Sequence, residues 1–247
     1  MNDQPRIVLV PDRDYLAGIK MHNYPEFEDE LSRSDGVTVT KETARLEYGI
    51  PDPEENKIYI RNIYNGTYHD LTSDRLQADF IIAKSIAIRE VLIMLGVYSA
   101  EIVESAKKAE DKKTNIKANG ASKQYAANVN LDVKIEKEVR ASVESTIKIG
   151  PYERTPKTAN EIETYMRTHG LGDEASLKGW VERLKRDGKL EGPESTTIVF
   201  LSELKGTTDS VLGLQLVKAE ANFHVGTLKT VDHTFEKKLS VNFSKPL

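Results

Sequence analysis

The sequence predicts an α+β protein: a curved antiparallel sheet with long hairpins, packed on a central apolar helix, with a helical pair beside it. Three observations carry this expectation. One stretch, 74–95, is apolar around almost its whole circumference. A second, 129–149, alternates apolar and polar residues with a period of two. Helical and strand-like runs are grouped rather than strictly alternating, which argues for an antiparallel sheet with segregated helices rather than a doubly wound fold.

The first 72 residues are mixed. Arg6–Val10 is a short strand candidate closed by Pro11, Glu26–Ser34 a short acidic helix, and Val37–Thr40 and Lys57–Ile63 have strand composition. Asn65-Gly66, flanked by Ile63-Tyr64 and Thr67-Tyr68, predicts a tight hairpin turn, since both central residues of a type I′ turn need positive φ. A second domain, 73–247, holds the remaining elements. Helix 74–95 starts at a Thr72 or Ser73 cap, with Asp74 at the positive end of the dipole, and stops at Gly96. Leu76, Phe80, Ala83, Ala87, Val91 and Met94 fall at helical spacing, and Ile82, Ile86, Leu92 and other apolar residues widen the stripe. A helix apolar on every side is packed on several sides, so Ile82, Ile86 and Leu92 are expected to be buried.

Residues 97–149 read as a long hairpin. Val97–Ala106 is its first strand, and Lys107–Lys123 its polar tip. In the return strand Val129, Leu131, Val133, Ile135, Val139, Ala141, Val143, Ile147 and Ile149 are all odd-numbered. Unbent, such a strand would reach about 70 Å, far beyond ordinary strands, so a bend or bulge near Lys137 is expected. Gly150-Pro151 ends it. A helical pair follows over 157–187, and in its second helix Leu177, Trp180, Val181 and Leu184 share one face. Three strands close the chain, at 196–204, 211–225 and 229–243.

The chain has 247 residues, no cysteine and a formal net charge of −4. Zero cysteine excludes disulfides, Cys-ligated zinc, iron–sulfur clusters and cysteine nucleophiles. It fits a reducing, cytoplasmic setting. The longest uncharged apolar run, Val91–Ala100, is half what a helical membrane span needs. There is no GxxxxGK[ST], GxGxxG, GxSxG or HExxH pattern, so the chain is read as non-enzymatic, without cofactor or metal. Asp12, Asp14, His22, Glu26 and Glu28 form an acidic group around one histidine, read as a solvated turn. His69-Asp70 could orient a base but has no identifiable nucleophile. His224 and His233 read as cross-strand neighbours.

The leading expectation is a binding or assembly protein that works through protein–protein contacts, with a protein partner or a second copy of itself. Its long hairpins leave open edges, and edges invite pairing with another chain. Two alternatives stand beside it. Strands of 9–11 alternating residues can cross a bilayer, and hairpin, helices, hairpin is similar in layout to gasdermins and related pore formers, which insert two hairpins per protomer. That resemblance implies an oligomerising pore, with Lys107, Lys108, Lys112, Lys113, Lys117 and Lys123 meeting anionic headgroups or a partner. The other alternative rests on 157–204, which looks like the second half of a winged helix-turn-helix. Lys178, Lys185, Arg186 and Lys189 would then contact nucleic acid. Eight basic and seven acidic residues over 151–190 make a poor electrostatic footprint, and the first helix of such a module is missing, so nucleic acid is disfavoured.

Overall fold

The computed structural model describes residues 4–12, 29, 31–103, 137–213 and 235–245. It is mixed α+β, with two separate sheets. In chain order the elements are β1 (Ile7–Val10), β2 (Gly36–Thr38), α1 (Lys41–Glu47), β3 (Lys57–Arg61), β4 (Tyr68–Asp70), α2 (Leu76–Met94), β5 (Ser99–Val103), α3 (137–147), α4 (Ala159–Thr168), α5 (Ala175–Asp187), β6 (Pro193–Val199), α6 (Ser202–Gly213) and β7 (Glu236–Asn242). The chain divides into two compact units: 1–83 with 167–171 and 200–234, and 84–166 with 172–199 and 235–247. The division falls inside α2, between Ala83 and Lys84.

The first unit holds a sheet of order β2-β1-β3-β4, with β1 parallel to β2 and antiparallel to β3. All four residues of β1, Ile-Val-Leu-Val, are buried. That suits an inner strand covered on both faces, which is why it reads as a continuous apolar run. Val8, Val10, Ala44, Ile50 and Tyr59 form one cluster under α1. The Thr40 hydroxyl caps that helix by accepting from the Thr43 N–H at 3.2 Å. β3 and β4 form the expected hairpin, but its loop is wider than two residues. The Asn62 carbonyl accepts from the Gly66 N–H at 2.7 Å, and the Asn62 N–H donates to Thr67 O at 2.7 Å. Gly66 has φ +78° while Asn65 stays at negative φ, so the turn is not type I′. The Asn65 side chain instead accepts from the Thr67 N–H at 3.0 Å, a competing local turn of the kind Asn favours.

α2 runs from Leu76 to Met94, inside the predicted 74–95 but starting two residues later, and ends in a Schellman motif. Gly96, at φ +76°, donates to Ile93 O at 3.0 Å, and Val97 N–H donates to Leu92 O at 3.1 Å. Phe80, Ile88, Val91 and Leu92 are fully buried. Ile86 is not: it is 50% exposed, and Ile82 is half-buried. Ile86 lies about 200° around the helix from Ile88, on the side opposite the buried face. Apolar composition hid a real inside and outside.

The larger correction concerns the hairpin 97–149. Residues 137–147 are helical, not extended. Val139, Val143 and Ile147 are buried at every fourth position, whereas Ala141 and Ser145, which a strand would bury on the same face, are exposed. A period of two contains a period of four, so the odd-numbered set satisfied both templates, and Lys137 and Ser145 were the places where the strand template failed. Among the described residues of that expected strand, Ile149 stays paired, exchanging two backbone hydrogen bonds with Ala100 at 2.9 and 3.1 Å. The expected run of three strands over 196–243 is also revised. After β6 the chain turns into α6, burying Leu201, Leu204, Thr208 and Val211 at spacings of three and four. The start of the expected strand 211–225 is therefore helical, and 214–234 lies outside the described residues.

The second sheet has order β5-β7-β6, antiparallel throughout. β7, the last strand in sequence, is its centre, with Leu239 and Val241 fully buried. Ile102 and Thr196 flank Leu239 from the two sides.

Candidate interaction surface

The helical pair of the second unit is built from strong local signals. Thr158 and Glu161 form a capping box: the Thr158 N–H donates to the Glu161 carboxylate at 3.0 Å, and the Glu161 N–H donates back to the Thr158 hydroxyl at 3.4 Å. The Thr158 side-chain and backbone bonds hold the Glu161 carboxyl below its ordinary range. In α5, Leu177, Trp180, Val181 and Leu184 are buried on one face, as predicted. Trp180 Nε1 donates to Glu194 at 2.6 Å, Arg183 bonds the other oxygen of that carboxylate, and the Ser176 and Thr196 hydroxyls meet. These three contacts fasten α5 to β6.

Lys178, Lys185 and Arg186 lie on α5 and Lys189 just beyond its end, and carboxylates hold most of these cations. Lys185 bonds Glu163 on α4 and lies 3.6 Å from Glu182. The Glu163 hydrogen bond pushes the Lys185 ammonium above its ordinary pKa. Arg186 grips Asp187 with two bonds of 2.8 and 2.9 Å, which raises the guanidinium and lowers the carboxyl. Lys189 pairs with Glu191 at 2.6 Å and is raised by that bond. Lys178 has no carboxylate within 4.0 Å among the described residues. Exposed pairs of this kind add little stability, yet they cancel the local field that would draw a polyanion. The sequence shows the acids over 151–190 almost matching the cations in number, but not which acid pairs with which cation. Glu182, three residues before Lys185, was legible as a helical neighbour. Glu163 was not, because it reaches Lys185 from the other helix of the pair.

The remaining nominations separate. Lys107, Lys108, Lys112, Lys113, Lys117 and Lys123 lie outside the described residues, as do Asp14, His22, Glu26, Glu28, His224 and His233. Asp12 accepts from Asn56 Nδ2 at 3.2 Å. Among the described residues no group of three or more His, Asp or Glu side chains could hold a metal ion. His69 and Asp70 are not partners. Asp70 takes hydrogen bonds from Lys57 at 2.7 Å and from Thr72. His69 points to the opposite side, with Nδ1 3.3 Å from Asp79 and Nε2 2.8 Å from the Thr67 hydroxyl. This hydroxyl–imidazole–carboxylate row has the order of a nucleophile relay but lacks its other parts. The Thr67 hydroxyl is also tied to Asn65, and the adjacent Gly66 and Thr67 N–H groups are committed to Asn62 and Asn65. With these donors committed, the row ties the β3–β4 hairpin to α2.

An open cleft of about 540 Å³ lies beside Gly96, Tyr98, Arg154 and Phe243. Arg154 is already spent there, donating to the carbonyls of Val97 and Tyr152 at 3.0 Å each. No helix among the described residues is long and apolar enough to cross a membrane. Comparison with protein-family models, with curated proteins and with solved structures finds no match.

Proposed function

We propose that this chain is a non-enzymatic, cytoplasmic assembly protein whose second unit is a winged-helix-type module adapted to protein contacts. Within the second unit the order β5, α3, α4, α5, β6, β7, with α6 of the first unit intervening in the chain before β7 and with β7 central in its sheet, supports the winged-helix resemblance. The helix over 137–147, which precedes the helical pair, supports the same reading. Fold alone does not assign a ligand. The observation that carries the reading is electrostatic: Lys185, Arg186 and Lys189 each sit on a carboxylate. A surface with three of its four candidate cations already paired has few counterions to release from nucleic acid, which is where much of that affinity arises. Protein surfaces tolerate such mixed charge and gain specificity from it. The pore alternative needs 129–149 extended, and the helix over 137–147 does not favour it.

Fluorescence anisotropy with a duplex oligonucleotide at physiological salt, followed by a salt series, tests the reading. Binding no tighter than about 10⁻⁴ M is expected, the weak end of non-specific association. Micromolar binding with a steep salt slope, lost in a Lys178→Glu/Lys185→Glu variant, would replace protein contact with nucleic-acid recognition.

A further inference from the structure

We infer that β6 is the contact through which two copies of this chain pair. The inference rests on the protein-contact reading and names the partner. β6 is an edge strand: its register, Pro193↔Asn242 to Val199↔Glu236, is wholly with β7. Among the described residues its backbone has one further bond, from Lys84 Nζ to the Val199 carbonyl at 2.6 Å. The opposite edge of the sheet differs, since β5 is engaged by Ile149.

Open edges are normally guarded by charge, proline or brevity. β6 has seven residues, and its proline stands at the first position, where it guards only the strand's start. Its one charge, Glu194, is drawn to Trp180 and Arg183. Ser195–Val199 reads Ser-Thr-Thr-Ile-Val without a charge, in a chain that is 30% charged. Ser195 and Thr197 are exposed.

A second copy fits this edge by symmetry. A two-fold axis at Thr196 sets the strand antiparallel to itself, so that one patch serves both partners. Ser195 then faces Thr197 of the other copy, and Glu194 faces Ile198. No like charges oppose one another, and Ser–Thr and Thr–Thr cross-strand pairs are favourable. So short a contact belongs with small, reversible interfaces.

Sedimentation of the full chain across a concentration series tests the pairing. A reversible dimer is expected, with a Kd at or below the order of 100 μM. A Ser195→Lys/Thr197→Lys variant should weaken the dimer about tenfold, because lysines then oppose lysines across the axis twice. Its melting profile should match the parent, since both side chains are exposed. An equimolar mixture with a Ser195→Glu/Thr197→Glu variant should restore the dimer. A chain that stays monomeric, a dimer indifferent to the lysine pair, or a mixture that fails to reassociate would each overturn the assignment. These outcomes leave the duplex-binding measurement untouched, so failure of the edge and failure of the protein-contact reading are read separately.

Discussion

Lys84 and Glu174, ninety residues apart in sequence, are joined by a hydrogen-bonded ion pair inside the second unit. Lys84 sits on the largely apolar α2 and is 1% exposed. Its ammonium also donates to the Val199 carbonyl at 2.6 Å, so one side chain ties α2 to the entry of α5 and the end of β6. The pair explains why Glu174 precedes α5 without capping it through its side chain.

A buried pair is far more sensitive to losing one member than to losing both. Glu174→Gln should cost about 3 kcal/mol, the low end for a broken buried pair, because Glu174 keeps some exposure. A Lys84→Met/Glu174→Gln double variant should recover part of that loss. Urea unfolding midpoints at neutral pH measure both, and a double variant no more stable than the single would show that the ammonium is well solvated without its partner.

The helix over 137–147 predicts a distinctive pattern of substitutions. Ile147→Ala should cost about 2–5 kcal/mol by lost transfer and cavity formation, since Ile147 is fully buried. Ala141→Asp should stay within about 0.5 kcal/mol, since Ala141 is exposed. A strand would place both on one buried face. Equal, large losses in thermal melts would therefore restore the extended reading.

Acid should weaken the first unit through Asp70. Burial pushes this carboxyl up, but hydrogen bonds from Lys57 and Thr72 outweigh it and hold Asp70 below its ordinary value. A depressed folded-state pKa gives stability that is complete above the unfolded value, near 3.9, and lost as pH falls through the folded value. Lys57 is raised, first by its bond to Asp70, so its own contribution is complete below its unfolded value and fades only in strong alkali. Unfolding midpoints between neutrality and pH 3 should drop at the acid end, and Asp70→Asn should flatten that drop. An unchanged pH profile in Asp70→Asn would contradict the pairing.

On the protein-contact reading, freeing the cations on and just after α5 should create duplex binding. Glu163→Gln, Glu182→Gln, Asp187→Asn and Glu191→Gln together remove four negative charges and bring the formal net charge from −4 to zero. Lys178, Lys185, Arg186 and Lys189 would then be available to phosphates. Anisotropy should reveal duplex binding with a log–log salt slope of about −3 to −4. No gain of binding would overturn the electrostatic argument for protein contacts.

Signals confined to a few neighbouring residues were legible in the sequence. The Gly96 stop of α2, the buried face of Leu177, Trp180, Val181 and Leu184, and the apolar β1 follow from periodicity and local hydrogen bonding, which act within one or two turns. Three features needed the tertiary structure. Whether Val139, Val143 and Ile147 belonged to a strand or a helix depended on what lay opposite Ala141, because both periods share every fourth residue. Whether Ile86 was inside depended on which side of α2 the chain later covered. The partners of Lys84, His69 and Lys185 depended on long-range packing, because a charge is satisfied by whichever opposite group the fold brings within about 4 Å, and spacing along the chain does not encode that distance.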